Sequence, residues 1–340
     1  MKKVLVTGGA GYIGAHTAVE LIEAGYEPVI VDNLSRSDRR LLEGIEKITS
    51  KKVNFFQGDC GDAEFLKGVF EWAGPFVAVM HFAAYKSVGE SVEKPLDYYD
   101  NNLGSLTTLL RTMKAFSVSN LIFSSSCTVY GQPDVVPVDE QTPFKRAESP
   151  YGATKQMCER ILEDAYQTGY RVICLRYFNP VGAHPSSLLG ELPIGVPNNL
   201  VPYITQTAAG VREKLTVFGD DYNTPDGSCV RDFIHVVDLA QGHLRAMEYL
   251  AKAPAGNLID TFNLGTGEGV SVLQLIHKFM SATGVKVPYA IGPRRSGDVE
   301  QTYSDVTKAN EALQWNAKFS VEESLLHAWK WEKAVREIKD

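Results

Sequence analysis

Residues 7–14 read TGGAGYIG, directly behind the apolar residues Val4, Leu5 and Val6 and directly ahead of an amphipathic stretch. Few folds place three glycines at a strand-to-helix turn. One permits the tight turn, another lets the backbone approach a pyrophosphate, and the third lets helix and strand pack closely, while the helix amino terminus offers unpaired N–H groups. The spacing of Gly8, Gly11 and Gly14 is G-x-x-G-x-x-G, and such glycines can also be purely structural. Asp32 weighs against that. It ends the next apolar run, 32 − 14 = 18 residues beyond the last glycine, where a carboxylate accepts hydrogen bonds from a ribose diol and repels a 2′-phosphate. This predicts NAD over NADP, with Arg36, Arg39 and Arg40 nearby as the features pointing the other way. Asp59, after the third apolar run, is placed either to accept from an adenine amino group or to cap its own turn.

Around this motif, short apolar runs alternate with amphipathic stretches, the pattern of βαβ units on a mostly parallel sheet. Strands are predicted over 4–7, 28–31, 53–57, 77–82, 120–124 and 171–177, and helices over 12–24, 98–116 and 150–167. The fold class is therefore α/β, a doubly wound parallel Rossmann-type sheet. Beyond Asn179, Pro180, Pro185, Pro193, Pro197 and Pro202 break the alternation. We expect residues 1–180 to form an NAD-binding domain, with 232–265 partly returning to it, and residues 181–340 to form a smaller mixed α/β C-terminal substrate domain.

Composition removes several classes of function. Lys plus Arg less Asp plus Glu gives 34 − 41 = −7, so no basic field attracts nucleic acid. The longest apolar run, residues 76–84, contains His81 and falls short of the ~18 residues a membrane helix requires. Only three apolar residues follow Lys2 and Lys3, too few for a signal peptide, so the expected location is cytoplasmic. The five cysteines have no CxxC spacing, and the histidines no HxxxH, so neither a disulfide framework nor a metal is expected.

The chemistry is carried by residues 149–155, SPYGATK, a helix start with Ser149 as cap and Pro150 in the first turn. Tyr151 and Lys155 are i and i+4 on one helix face, so an ammonium can lie beside a phenol and a cofactor ribose. Lowering a phenol from about 10 towards neutrality needs roughly 4 kcal/mol, which one cation plus the positive charge of a nicotinamide can supply. A lone YxxxK more often records a buried Tyr and a solvated Lys. Here, however, residues 124–131, SSSCTVYG, close the preceding strand and put Ser126 at the sheet's carboxyl edge, where parallel sheets bind ligands.

Hydroxyl, phenol, ammonium and dinucleotide loop together resemble the extended short-chain dehydrogenase/reductases. FAAYKSVGES, YYDNN, RYFNPVGAH, PNNL, VRDFIHVVDLA and PRRSGDV narrow the resemblance, over nearly the whole chain, to the UDP-glucose 4-epimerase family. That family's activity implies interconversion of UDP-glucose and UDP-galactose, in galactose metabolism, through a transient 4-keto sugar on tightly held NAD. The resemblance implies Ser126 and Tyr151 as the catalytic pair, with Lys155 lowering the phenol's pKa. It assigns Tyr12, Ile13, Asn33, Asp59, Cys60, Phe82, Ala83, Lys86, Asn101 and Ser124 to the cofactor beside Gly8, Gly11, Gly14 and Asp32. It assigns Asn179, Asn199, Leu200, Thr216, Phe218, Arg231, Arg295, Asp298 and Thr302 to the UDP-sugar, with Lys86, Ser126 and Tyr151 shared. Thr302 stands where members that exclude N-acetylated sugars carry a bulky aromatic, which implies turnover of UDP-N-acetylglucosamine and its galactosamine epimer as well. The family is commonly homodimeric, and the apolar faces near 103–110 and 157–165 are the candidate interface or ordinary core. The alternatives are another nucleotide-sugar epimerase, a decarboxylase, a 4,6-dehydratase, which resembles this chain with Asp-Glu in place of Cys127 and Thr128, and a non-catalytic NAD-binding sensor.

Overall fold

The computed structural model describes residues 1–295 and 297–338. The chain runs β1 (Lys3–Thr7), α1 (Tyr12–Glu23), β2 (Glu27–Asp32), α2 (Arg40–Thr49), β3 (Asn54–Gln57), α3 (Ala63–Ala73) and β4 (Phe76–His81). It continues through α4 (Val88–Glu93), α5 (Pro95–Ala115), β5 (Asn120–Ser126), α6 (Pro150–Ala165), β6 (Arg171–Tyr177), β7 (Asn179–Val181), α7 (Leu200–Ala208) and β8 (Leu215–Phe218). Then come β9 (Val230–Arg231), β10 (Phe233–His235), α8 (Val236–Lys252), β11 (Leu258–Leu264), β12 (Val270–Ser271), α9 (Val272–Thr283), β13 (Tyr289–Gly292), β14 (Gln301–Thr302), α10 (Thr307–Leu313) and α11 (Val321–Arg336).

Seven strands form one sheet in the order β11-β6-β5-β4-β1-β2-β3, all parallel. Side-chain alternation explains its two helical layers. On β1, Val4 and Val6 point into a core shared with Ala15, Ala18 and Leu21 of α1 and Leu41 of α2, whereas Leu5 joins Leu66 of α3, Leu106 and Leu109 of α5 and Leu162 of α6 on the other face. Strands covered on both faces read as continuous apolar runs, which is why they are visible in the sequence.

Within residues 232–265 lie β10, α8 and β11, and the His235 ring caps α8, its Nδ1 accepting from the Val237 N–H at 3.0 Å. Helix α8 lies on α1, and β11 joins β6 as the seventh strand, pairing Leu258 with Arg171 and Leu264 with Tyr177. A separate core is built from Val217, Phe233, Leu275, Ile276, Phe279 and Leu325, between α7, α9 and α11. Two short sheets, β12-β9-β14 and β13-β8, carry Arg231 and Thr302 on the first and Thr216 and Phe218 on the second. No helix among the described residues is long and apolar enough to cross a membrane.

Candidate active site

The turn after β1 has no room for side chains at two of its glycines. Gly8 adopts φ +73°, and a Cβ there would come within 2.6 Å of the Ala83 nitrogen; one on Gly14 would come within 2.5 Å of the Gly8 oxygen. Both contacts demand glycine. Gly11 caps α1 without any side-chain cap, so the first-turn amides of Tyr12 and Ile13 are left for an external acceptor. The side chains of these two residues turn inward: the Tyr12 hydroxyl donates to the Gly182 carbonyl at 2.7 Å, and Ile13 packs on the core. Only their backbones are available to a cofactor.

Asp32 ends β2 with its carboxylate fixed by the Ala10 N–H (3.1 Å), the Leu34 N–H (2.9 Å) and the Ser37 hydroxyl (2.7 Å). The three arginines that spoke for a phosphorylated cofactor are engaged elsewhere. Arg36 pairs with Glu90 at 2.8 Å and lies over the Tyr85 ring, Arg39 lies over Phe55, and Arg40 pairs with Asp38 at 2.8 Å. Asp59 serves its own turn through the Gly61 N–H (2.7 Å) and also accepts from the Asn33 amide (3.1 Å), whereas the Cys60 thiol is buried in the core. Glycine cradle, fixed diol acceptor and uncapped helix form a donor and acceptor set that fits a dinucleotide with an unphosphorylated ribose.

At the carboxyl ends of β4, β5 and β6 the reactive side chains converge. Ser149 caps α6 by accepting from the Gly152 N–H at 3.2 Å, which starts the helix and sets Tyr151 and Lys155 on its inner face. The Lys155 ammonium donates to the Ser124 carbonyl at 2.6 Å and lies 4.9 Å from the Phe123 ring centroid and 6.0 Å from that of Tyr151. Its burial lowers the amine from 10.5 to about 8. The Ser124 hydroxyl is hydrogen-bonded to Tyr177, and the Ser126 hydroxyl accepts from the Thr128 N–H (3.2 Å) and hydroxyl (3.0 Å).

Burial first, and Tyr177 next, push Tyr151 well above its ordinary value, opposed by the neighbouring Ser126 hydroxyl. The protein alone thus holds a protonated phenol. Lys155 is directed at a carbonyl and an aromatic face, and desolvation outweighs a single cation at that range. Below the phenol, Asn102 is buried and holds its surroundings through both ends of its amide, accepting from the Tyr85 N–H (2.8 Å) and the Asn101 amide (2.9 Å) and donating to Tyr85 O (3.1 Å) and Thr154 Oγ1 (3.0 Å).

The residues assigned to the UDP-sugar form two groups. Lys86 reaches Glu191 at 3.3 Å, and the same carboxylate accepts from the Asn199 amide at 2.5 Å, next to Leu200 at the start of α7. In the second group, Arg295 binds Asp298 at 2.7 Å and lies 5.4 Å from the exposed Phe218 ring, while Arg231 donates to the Val230 carbonyl at 2.8 Å. Thr302 pairs with Arg231 across β14 and β9; its hydroxyl is buried and finds no partner among the described residues. Asn179 adjoins the second group, its N–H donating to the Asp232 carbonyl at 2.9 Å.

Sequence reasoning missed Glu191, Tyr177, Asn102 and Asp232. The fully buried Asp232 carboxylate accepts from Thr266, Gly267 and Ser304, so it locks the strand bearing Arg231 against the segment that follows Thr302. Its position directly after Arg231 was the available signal: a charged pair inside an otherwise apolar run.

The GDP-mannose 4,6 dehydratase family model matches residues 5–327. The chain is 50% identical over 332 residues to the UDP-glucose 4-epimerase of Dictyostelium discoideum, covering 97% of this chain and 95% of that one. Its fold matches UDP-glucose 4-epimerase from Bifidobacterium longum in complex with NAD+ and UDP, with a TM-score of 0.94, 45% identity and 98% of each chain covered. It likewise matches the Stenotrophomonas maltophila protein with bound NAD and formylated UDP-arabinopyranose, with a TM-score of 0.94, 46% identity and all of both chains covered.

Proposed function

The chain belongs to the UDP-glucose 4-epimerase family of the extended short-chain dehydrogenase/reductases, and from that footing we propose how its own residues divide the work. It is an NAD-dependent isomerase that interconverts UDP-glucose and UDP-galactose. The observation that carries the assignment of roles is the meeting of Tyr151, Lys155 and Ser126 at the sheet edge beside a glycine cradle.

Residues 1–180 with 232–265 hold the dinucleotide and residues 181–340 the UDP-sugar. Gly8, Gly11 and Gly14 admit the pyrophosphate and Asp32 accepts from the ribose diol, with Asn33, Asp59, Phe82, Ala83, Lys86, Asn101 and Ser124 around them. Bound NAD supplies a reversible two-electron oxidation at sugar C4 and a positive charge beside a phenol that burial has made a weak acid. The Tyr151 phenol oxygen takes and later returns the proton of the 4-hydroxyl, and the Ser126 hydroxyl holds the same sugar oxygen. Lys155, positively charged below about pH 8, favours the phenolate.

Inversion requires that the 4-keto sugar turn over about its diphosphate. The site therefore holds UDP firmly, through Asn179, Asn199, Phe218, Arg231 and Arg295, and leaves the hexose few fixed contacts. A dehydratase needs an added acid and base after Ser126, where this chain has Cys127, its thiol raised by burial to about 12, and Thr128, committed to Ser126. Purified enzyme given UDP-galactose without added NAD should form UDP-glucose and accumulate no reduced cofactor. A xylose or 6-deoxy product would assign it to a rival reaction.

Thr302 leaves room for a 2-acetamido group at the sugar pocket, and the enzyme accepts UDP-N-acetylglucosamine. Thr302→Tyr should cut N-acetyl turnover by about tenfold or more, as expected for filling a pocket by a ring's volume, and leave UDP-glucose turnover within about threefold. Undiminished N-acetyl turnover refutes the size gate. We also place the enzyme in the cytoplasm, consistent with five unpaired cysteines, and as a homodimer through the outer faces of α5 and α6. Leu106, Leu109 and Leu110 are core, so the partly buried Leu103 and Ile161 and the exposed Leu96 and Met157 are apolar groups left for that contact.

A further inference from the structure

Beneath the reactive groups lies an ion pair that the mechanism above does not use. Glu159 and Arg176 meet at 2.6 Å with side chains only 4% and 8% exposed. Glu159 stands on α6, one turn beyond Lys155 and two beyond Tyr151, so the three share one stripe of the helix. Its carboxylate accepts from Arg176 Nε at 3.0 Å and also from the hydroxyl of Ser125, the residue directly before Ser126. One buried carboxylate thus fastens the helix that carries the base to the strand tip that carries its partner.

Arg176 cannot swing away. Its remaining nitrogen donates to the Tyr130 hydroxyl and the Glu140 carbonyl, both at 3.1 Å, and its guanidinium lies 4.6 Å from the Phe144 ring centroid. Tyr130 in turn donates to Asn263 Oδ1 of β11 at 2.7 Å. Stability alone does not account for this arrangement, because a buried ion pair recovers its desolvation cost only partly and an apolar pair of similar volume often stabilises as well or better. Geometry does account for it. Displacing a reacting group by about 1 Å costs on the order of a hundredfold in rate, and Tyr151 and Ser126 come from different elements that must be held to that tolerance.

We propose that Glu159 and Arg176 are positioning residues, with Glu159 setting α6 and the Ser125–Ser126 tip in one frame so that the Tyr151 and Ser126 hydroxyls address the same sugar oxygen. The inference rests on the epimerase reading, so the unmodified enzyme is assayed alongside: if it does not epimerise UDP-galactose, that reading fails and this one with it. Given an active parent, the double variant Glu159→Leu/Arg176→Met removes both charges together. It should fold with NAD content and UDP affinity within about twofold of the parent, while kcat falls about tenfold to a hundredfold. A kcat within about threefold of the parent, or a fall matched by an equal loss of UDP affinity, overturns the proposal. Ser125→Ala keeps the ion pair intact and removes only the strand-side tether, so it serves even where the double variant does not fold. Its kcat should drop about fivefold with KM unchanged, and an undiminished kcat overturns the proposal on its own.

Discussion

Tyr151→Phe should lower kcat by about 10³-fold, equivalent to about 4 kcal/mol of transition-state stabilisation, with UDP and NAD binding nearly unchanged. The substitution keeps the aromatic ring and removes one oxygen. In the free protein that oxygen is a poor acid, because burial raises its pKa and only the Ser126 hydroxyl beside it counters the effect. Its use as a base therefore depends on charge brought close to it, and a phenylalanine ring has no proton to give whatever charge surrounds it. No other group described at the site can substitute. Ser126 is committed to Thr128 as an acceptor, Cys127 is held protonated up to about pH 12, and Lys155 is turned towards the Ser124 carbonyl. Steady-state turnover of UDP-galactose together with the NAD content of the purified variant checks this. A kcat within about tenfold of the parent would show that proton transfer does not run through Tyr151.

What the sequence disclosed and what it withheld follow from range. The β1 turn, the α6 cap and the YxxxK face are local devices whose partners lie within a few residues, so spacing alone locates them. Most of the large sheet was legible because its central strands, buried on both faces, read as apolar runs that few polar residues interrupt. The contacts that join Lys86 to Glu191, Ser124 to Tyr177 and Asp232 to Ser304 span 105, 53 and 72 residues, and no periodicity encodes such pairs. Arg176 is the instructive case. It interrupts the apolar strand RVICLRY, and a charge inside a buried strand requires a buried partner. The partner's identity as Glu159 became visible only when α6 was laid against β6. The aim of the Lys155 ammonium was hidden for a related reason: i, i+4 spacing fixes which face Lys155 occupies, whereas the direction of its ammonium is set by the Ser124 carbonyl on another element.

That direction leads to the second large effect. Lys155→Met should cost at least about 10²-fold in kcat, since it removes the buried ammonium 6.0 Å from the Tyr151 ring centroid, yet it should make the nucleotide-free protein more stable at neutral pH. The sign follows from the amine's position. Unfolded, it titrates at the ordinary 10.5; folded, burial brings it to about 8. Below about pH 8 the amine is charged in both states, and the folded state carries the full cost of holding that charge away from water. Between about 8 and 10.5 the unfolded chain binds a proton that the folded chain has released, so the parent's stability rises with pH through this window and then levels. The gap between the two values corresponds to roughly 3 kcal/mol, less about 1 kcal/mol for the lost hydrogen bond to Ser124, leaving a gain of about 2 kcal/mol for the methionine at pH 7. The gain should shrink above about pH 8 and vanish near pH 10, because the neutral amine no longer opposes folding there. Denaturant unfolding of both proteins at pH 7 and pH 10, without added nucleotide, measures both ends of the window. A methionine variant less stable than the parent at both pH values would mean that Lys155 is a structural strut. A variant stabilised at pH 7 and inert as a catalyst would show that this fold gives up stability to keep a charge where the reaction needs it.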